Sequence, residues 1–275
     1  MDIVEQFIQG KKPNQEECED GLFVGEHYIA VVDGATSSSG TKNVGKTPGK
    51  LAMELVTGAL CHLDPDQNAA NAFKFLNKSI VDAYNSSGIL GHMESNPIDR
   101  WTASCVIYSL SKRELWFIGD CQALIDGVLV SNNKLVDDVT SSARALFLAG
   151  YLTLGHTVEE VQKQDVGREY ILPLLQEQSV FQNGATPSEF NFAVLDGFFT
   201  NVDMIKVIPV PPNVNEMVLA SDGYPELMPT LEASEELLKQ ILKDDPLLFQ
   251  KYKSAKGLQP GNYSFDDRTY IRIKV

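Results

Sequence analysis

The sequence has only four cysteines, Cys18, Cys61, Cys105 and Cys121, and no pair is spaced as CxxC. That excludes a Cys-based zinc site and a disulfide framework, and four free thiols are expected. No run of about 18 apolar residues exists, which excludes a membrane-spanning helix. Positive charge is scarce: 23 Lys and Arg stand against 37 Asp and Glu, a formal net charge of −14. Such a chain repels nucleic acid and anionic membrane surfaces, so neither is expected as a partner. Histidine occurs only as His27, His62, His92 and His156, and no Ser-His-Asp or Cys-based nucleophile arrangement emerges. The phosphate-loop pattern GxxxxGK[ST] is missing, as is strict alternation of strand and helix. No linker, internal repeat or low-complexity tract divides the chain, so a single domain over 1–275 is expected. The opening MDIVEQFIQGKK has acids where a secretion signal needs basic residues, and no continuous apolar core. The expected location is cytoplasmic.

What is present is clear periodicity. PGKLAMELVTGALCHL, Pro48 to Leu63, puts Leu51, Leu55 and Ala59 on one helical face, with Pro tolerated in the first turn. NAANAFKFLNKSIVDAY repeats Phe73, Leu76, Ile80 and Tyr84 at the same spacing. SCVIYSLSKRELWFIGDCQALIDGVLVS then reads as three or four short strands. From about Ser141 to Gln178 the pattern is helical again, with Pro173 expected to kink or end the second helix. EFNFAVLDGFF, MIKVIPV and EMVLASDG read as strands. A helix pair from Leu231 to Tyr252, split near Pro246, precedes the closing strand RTYIRIKV. The order implies an α+β fold of largely antiparallel sheets covered by helices.

Asp-Gly is the commonest hairpin dipeptide, and it occurs five times, at Asp20, Asp33, Asp126, Asp196 and Asp222. Asp126-Gly127 sits symmetrically between QALI and VLVS and is assigned to a turn; Asp196-Gly197 is most simply a turn too. Other acids share a different setting. Asp33 follows YIAVV, Asp120 follows LWFIG, Asp222 follows MVLAS, Asp266 precedes TYIRI, and Glu19-Asp20 precede LFV. Carboxylates at the ends of buried strands are costly unless paired or hydrogen-bonded. Converging at one end of a sheet, they make a site for a hard cation, Mg²⁺ or Mn²⁺. Taken singly, each also reads as a turn residue.

In this order, CEDG, AVVDGATS, TASCVIYS followed by WFIGDCQALI, VLASDGYPEL and SFDDRTYIRI resemble the motifs of the metal-dependent serine/threonine phosphatases, the type 2C protein phosphatase family. The resemblance runs from about residue 10 to the C-terminus. It implies a four-layer αββα sandwich, two mainly antiparallel β-sheets flanked by helices. It implies two Mn²⁺ or Mg²⁺ ions, with Asp33 bridging them and the Gly34 carbonyl on one. Asp222 and Asp266 would complete the other site, and Glu19 and Asp20 would bind directly or through water. Asp120 matches a position that joins a third, weaker ion. The implied reaction is hydrolysis of phosphoserine and phosphothreonine monoesters, on a phosphorylated protein or peptide, by a metal-activated water held through Asp33 and Asp222.

Four positions depart from the family pattern. Gln15 stands where an Arg clamps the phosphate, ATSSSG follows Val-Val-Asp-Gly's aspartate, Cys121-Gln122 replace Ser-Arg, and Asp267 replaces an Asn. The metal carboxylates are untouched, so the departures bear on substrate binding. Lys11, Lys12, Thr36 and Ser37 are the candidates to hold phosphate instead. A regulatory binding module on the same fold, a pseudophosphatase, is the competing reading, and a phosphatase for a small phosphorylated metabolite is a third. The segment at about 136–182, between motif-bearing strands, is expected to form a helical cover that selects substrates.

Overall fold

A computed structural model describes residues 2–36 and 45–275. Ten strands form two five-stranded antiparallel sheets. One holds β2 (Asp20–Val24), β3 (Tyr28–Gly34), β4 (Ala103–Ser109), β5 (Glu114–Ile118) and β8 (Lys206–Pro209), in that order. The other runs β1 (Asp2–Gln9), β10 (Arg268–Lys274), β9 (Glu216–Ala220), β6 (Gln122–Ile125), β7 (Val128–Ser131).

The strands' period of two explains the layers. On β3, Ile29 and Val31 point into the space between the sheets, against Leu219, Ile271 and Ile273. Ala30 and Val32, on the opposite face, meet α1 (Pro48–Leu60) and α2 (Ala69–Ser86). Covered on both sides, this strand reads as a continuous apolar run. The outer face of the second sheet, with Leu124, Val218 and Tyr270, is covered by Leu238, Ile241 and Leu242 of α7 (Leu231–Asp244). The result is the expected αββα sandwich. Thr47, Asn68 and Thr230 begin α1, α2 and α7 by accepting a main-chain N–H three residues on. In α2 the expected face of Phe73, Leu76, Ile80 and Tyr84 is fully buried. In α1 the buried face is centred on Ala52, Val56 and Leu60, and Leu51, Leu55 and Ala59 pack on its flank.

The short α3 (Leu90–Ser95) leads toward β4, while α4 (Leu135–Thr153), α5 (Val158–Lys163) and α6 (Val166–Glu177) lie between β7 and β8. Asp126 and Gly127 have φ of 45° and 81° and join β6 to β7 in the two-residue turn expected of them.

The opening residues form β1, a half-exposed edge strand paired with β10. Three expectations are corrected. EFNFAVLDGFF makes only isolated bridges, Ala103 with Leu195 and Gln182 with Phe192. The helix expected over 158–178 breaks at Asp165, whose side chain caps α6, and Pro173 stays inside α6. No helix follows Pro246: Arg144 takes the carbonyls of Leu247 and Ser254, which a helix would have used for itself. Among the described residues no helix is long and apolar enough to cross a membrane.

Candidate metal centre

The strand ends bring the acids together. Asp20 opens β2 opposite Asp33 near the end of β3, and Asp33 in turn faces Ser104 on β4. Asp120 follows β5 through Gly119, whose φ is 77°. A Cβ at Gly119 would lie 2.0 Å from the Ser104 hydroxyl, so glycine is what lets the two strands close there. Ser104 Oγ then donates to Asp120 Oδ1 at 2.5 Å. Asp222 follows β9, and Asp266-Asp267 precede β10. Asp33, Asp120 and Asp222 each offer an oxygen within 4.8 Å of the others. They lie in a cleft of about 340 Å³ whose lining includes Thr36, Lys134, Arg168, Lys253 and Lys256.

The charges around this trio are uneven. Asp33 is pushed well above the usual carboxylate range by burial, then by Asp20 and Asp120. Asp222, which opens onto the cleft, is raised by the protein crowded around it, then by Asp33 and Asp120. Among the described residues neither lies within ion-pair distance of a Lys or Arg. Asp120 is different: burial would raise it, but Lys134 at 2.6 Å and the Ser104 hydroxyl hold it below its ordinary value.

The remaining expected ligands sit beside the trio with partners of their own. Asp20 is buried, and its Oδ2 accepts from Ser221 Oγ at 2.6 Å and Thr269 Oγ1 at 2.9 Å. Burial pushes it up to about 8, with Asp267 and Asp266 adding to the rise against the hydroxyl bonds. Glu19 accepts from Thr47 at 2.6 Å and from Thr36 at 2.7 Å, and its main-chain carbonyl accepts from Gly34 N. A Cβ at Gly34 would lie 2.2 Å from the Gly49 carbonyl, so the approach of α1 to the centre needs glycine there. Asp266 is held down at about 2: burial opposes this, but Lys256 at 2.5 Å and Lys11 at 3.2 Å outweigh it.

Of the expected phosphate contacts, Thr36 lines the cleft and Lys11 reaches the carboxylates. Lys12 is turned outward onto Glu17. Ser37 lies outside the described residues. Gln15 accepts from Gly10 N at 2.9 Å and brings no cation. The cleft's cations come instead from residues without any motif. Lys134 precedes α4, Lys253 and Lys256 follow Pro246, and Arg168 lies in the first turn of α6. Arg168 donates to the Ala255 carbonyl at 3.1 Å and makes no ion pair among the described residues. No sequence signal marks them, because each reaches the cleft only through tertiary packing.

The donor set of Asp33, Asp120 and Asp222 is all hard oxygen, and among the described residues only Asp120 of the three is in an ion pair. It fits Mg²⁺ or Mn²⁺. No protein-family model matches the chain, and no curated protein matches it. Solved structures similar to it include the serine/threonine phosphatase Stp1 from Staphylococcus aureus, 15% identical, with a TM-score of 0.48 over 100% of this chain and 96% of that one. The serine/threonine phosphatase PstP/Ppp of Mycobacterium tuberculosis is 19% identical, with a TM-score of 0.42 over 98% and 97%. The catalytic domain of PstP in complex with two manganese ions is 17% identical, with a TM-score of 0.45 over 99% of each chain.

Proposed function

We propose that the chain is a metal-dependent phosphatase acting on phosphoserine and phosphothreonine monoesters in proteins or peptides. The observation that carries this reading is the convergence of Asp33, Asp120 and Asp222 on one point, where among the described residues neither Asp33 nor Asp222 forms an ion pair. Carboxylate oxygens brought this close, one partly buried and one open to the cleft, make a hard-oxygen donor set that a divalent ion suits. Asp33, Asp120 and Asp222 would hold that ion, with Gly34 lining the same cleft. Glu19, Asp20 and Asp266 become ligands of a second ion only where their present partners give way. When bound, Mn²⁺ or Mg²⁺ offsets the charge of the phosphate dianion and makes a water nucleophilic near neutral pH.

The chain's own residues supply the rest. Arg168 presents a planar, always-charged fork with donors to spare, suited to phosphate oxygens. Lys253, exposed at the rim and within 3.5 Å of Ser142 Oγ, adds a second positive charge. Both belong to the wall built by the cover and the loop after Pro246, so the segment 136–182 orients the substrate over the carboxylates. The chain works as one catalytic domain.

The test is hydrolysis of an aryl phosphate and of phosphopeptides by the purified protein in Mn²⁺, in Mg²⁺ and with chelator. Metal-dependent turnover is expected. A second reading, a binding module without turnover, is favoured by the ammonium groups of Lys11, Lys134 and Lys256 lodged against the carboxylates. Ion binding without turnover on any phosphoester would select it.

A further inference from the structure

Lys11 is anchored at the centre through its main chain as well as its side chain. Its main-chain N donates to Asp267 Oδ1 at 2.6 Å, and its carbonyl accepts from Tyr263 N at 2.8 Å. Both ends of its peptide unit are thus tied to the loop that carries Asp266. Its side chain is only 14% exposed, and Nζ reaches Thr36 Oγ1 at 3.1 Å, Asp266 at 3.2 Å, Asp267 at 3.3 Å and Glu19 at 3.4 Å. Four oxygens around one positive centre is the arrangement a hard cation adopts. Burial would weaken the ammonium, but Asp266, Asp267 and Glu19 keep it charged.

Asp267 accounts for this arrangement. It stands where the resemblance called for an uncharged Asn. Besides Lys11, its Oδ2 accepts from Glu19 N at 3.0 Å, and it is buried. Asp267 thus adds a carboxylate 3.3 Å from the Lys11 ammonium, while the other oxygen of Asp266 is taken by Lys256 at 2.5 Å. An isolated buried carboxylate there would be costly, and so would an isolated ammonium; each explains the other.

We propose that the Lys11 ammonium is the resident cation of the Glu19, Asp266 and Asp267 half of the centre, so that the chain binds one divalent ion, at Asp33, Asp120 and Asp222. This rests on the metal-centre reading above. Lys11 then supplies as a fixed charge what a second ion would supply, and Glu19 and Asp266 serve to hold it.

The experiment is titration of the purified chain with Mn²⁺ by calorimetry, with electron paramagnetic resonance of the bound ion. One ion per chain, with the spectrum of an isolated Mn²⁺, is expected. Two ions with exchange coupling would overturn the inference and leave the metal-centre reading standing. No bound ion would overturn both. The Lys11→Met variant, and Lys11→Met combined with Asp267→Asn to keep the charge balance, are expected to take up a second ion. If either folded variant, checked by circular dichroism, still binds only one, Lys11 is not the occupant.

Discussion

Asp20 and Asp33 stand directly opposite each other across the β2–β3 ladder. Opposed residues of an antiparallel pair point to the same face, and like charges there destabilise. The two carboxylates meet the problem differently. Asp20 turns to the hydroxyls of Ser221 and Thr269. Asp33 shares a side-chain hydrogen bond with Asp222 and lies next to Asp120. The fold stores repulsion at this point, and a bound cation would release it.

Removing a carboxylate should therefore separate activity from stability. Asp222→Asn is expected to lower metal-dependent turnover by at least ~100-fold, beyond the usual effect of a residue that only orients a metal ligand. The same change should stabilise the metal-free protein by ~0.5–2 kcal/mol, as relieving functional strain commonly does. Kinetics in saturating Mn²⁺ and urea unfolding with chelator check the two halves. Asp33→Asn should behave alike, and full activity in that variant would refute its role.

Stability of the metal-free protein should depend on pH in an unusual sense. A carboxylate held at about 8 in the folded state, as Asp20 is, keeps a proton that the unfolded chain has lost above ~4. Between about pH 4 and 8 the folded state binds more protons, so stability falls as pH rises. Asp33 and Asp222, also raised, act in the same direction. Asp266, held at about 2, acts oppositely: its contribution is present above ~4 and is lost as pH falls toward 2. Calorimetric scans with chelator should show Tm dropping by several degrees from pH 5 to pH 8. Saturating Mn²⁺ should flatten that slope, and a flat profile without metal would contradict the assignment.

Arg168→Ala should raise KM for a phosphopeptide about 10-fold, the loss of one charge-assisted hydrogen bond of ~1.5 kcal/mol. Ion affinity measured by calorimetry should stay unchanged. Arg168→Lys should recover only part, because a point charge does not replace a planar fork. An unchanged KM in Arg168→Ala would place phosphate recognition elsewhere.

The acids that converge were legible because each ends an apolar strand, a local pattern. The hairpin at Asp126-Gly127 and the layered order of elements were legible for the same reason. The segment 189–199 has a strand's composition but pairs only through Phe192 and Leu195, since Asp196 within it is committed to Arg100, Gln182 and Asn183. β1 hid because an edge strand half in solvent carries little apolar alternation. The lysines at the centre were invisible for a deeper reason. Lys11 and Asp266 lie 255 residues apart, and no local regularity links such a pair.

Arg144 offers a test of how α4 and the loop after Pro246 are held together. It is fully buried, pairs with Asp165 at 2.7 Å, and donates to the Leu247 carbonyl at 2.7 Å and the Ser254 carbonyl at 3.1 Å. Arg144→Met strands Asp165 and the carbonyls together, at a cost of ~3–5 kcal/mol. Denaturant unfolding should show that loss, and hydrogen exchange should quicken over residues 246–257. A loss under 1 kcal/mol would mean the loop is held by other contacts.

Glu19 joins two threonines on either side of a chain segment: Thr36 donates to one of its oxygens and Thr47, which starts α1, to the other. A buried carboxylate thus fastens both ends of the stretch between them. Closing a loop costs entropy that grows only with the logarithm of its length, about 0.6 kcal/mol per doubling. With Thr36 and Thr47 both held on Glu19, that closure cost is met at two described residues. Through these two bonds Glu19 keeps Thr36 and the start of α1 in register with the strand end that carries Asp20.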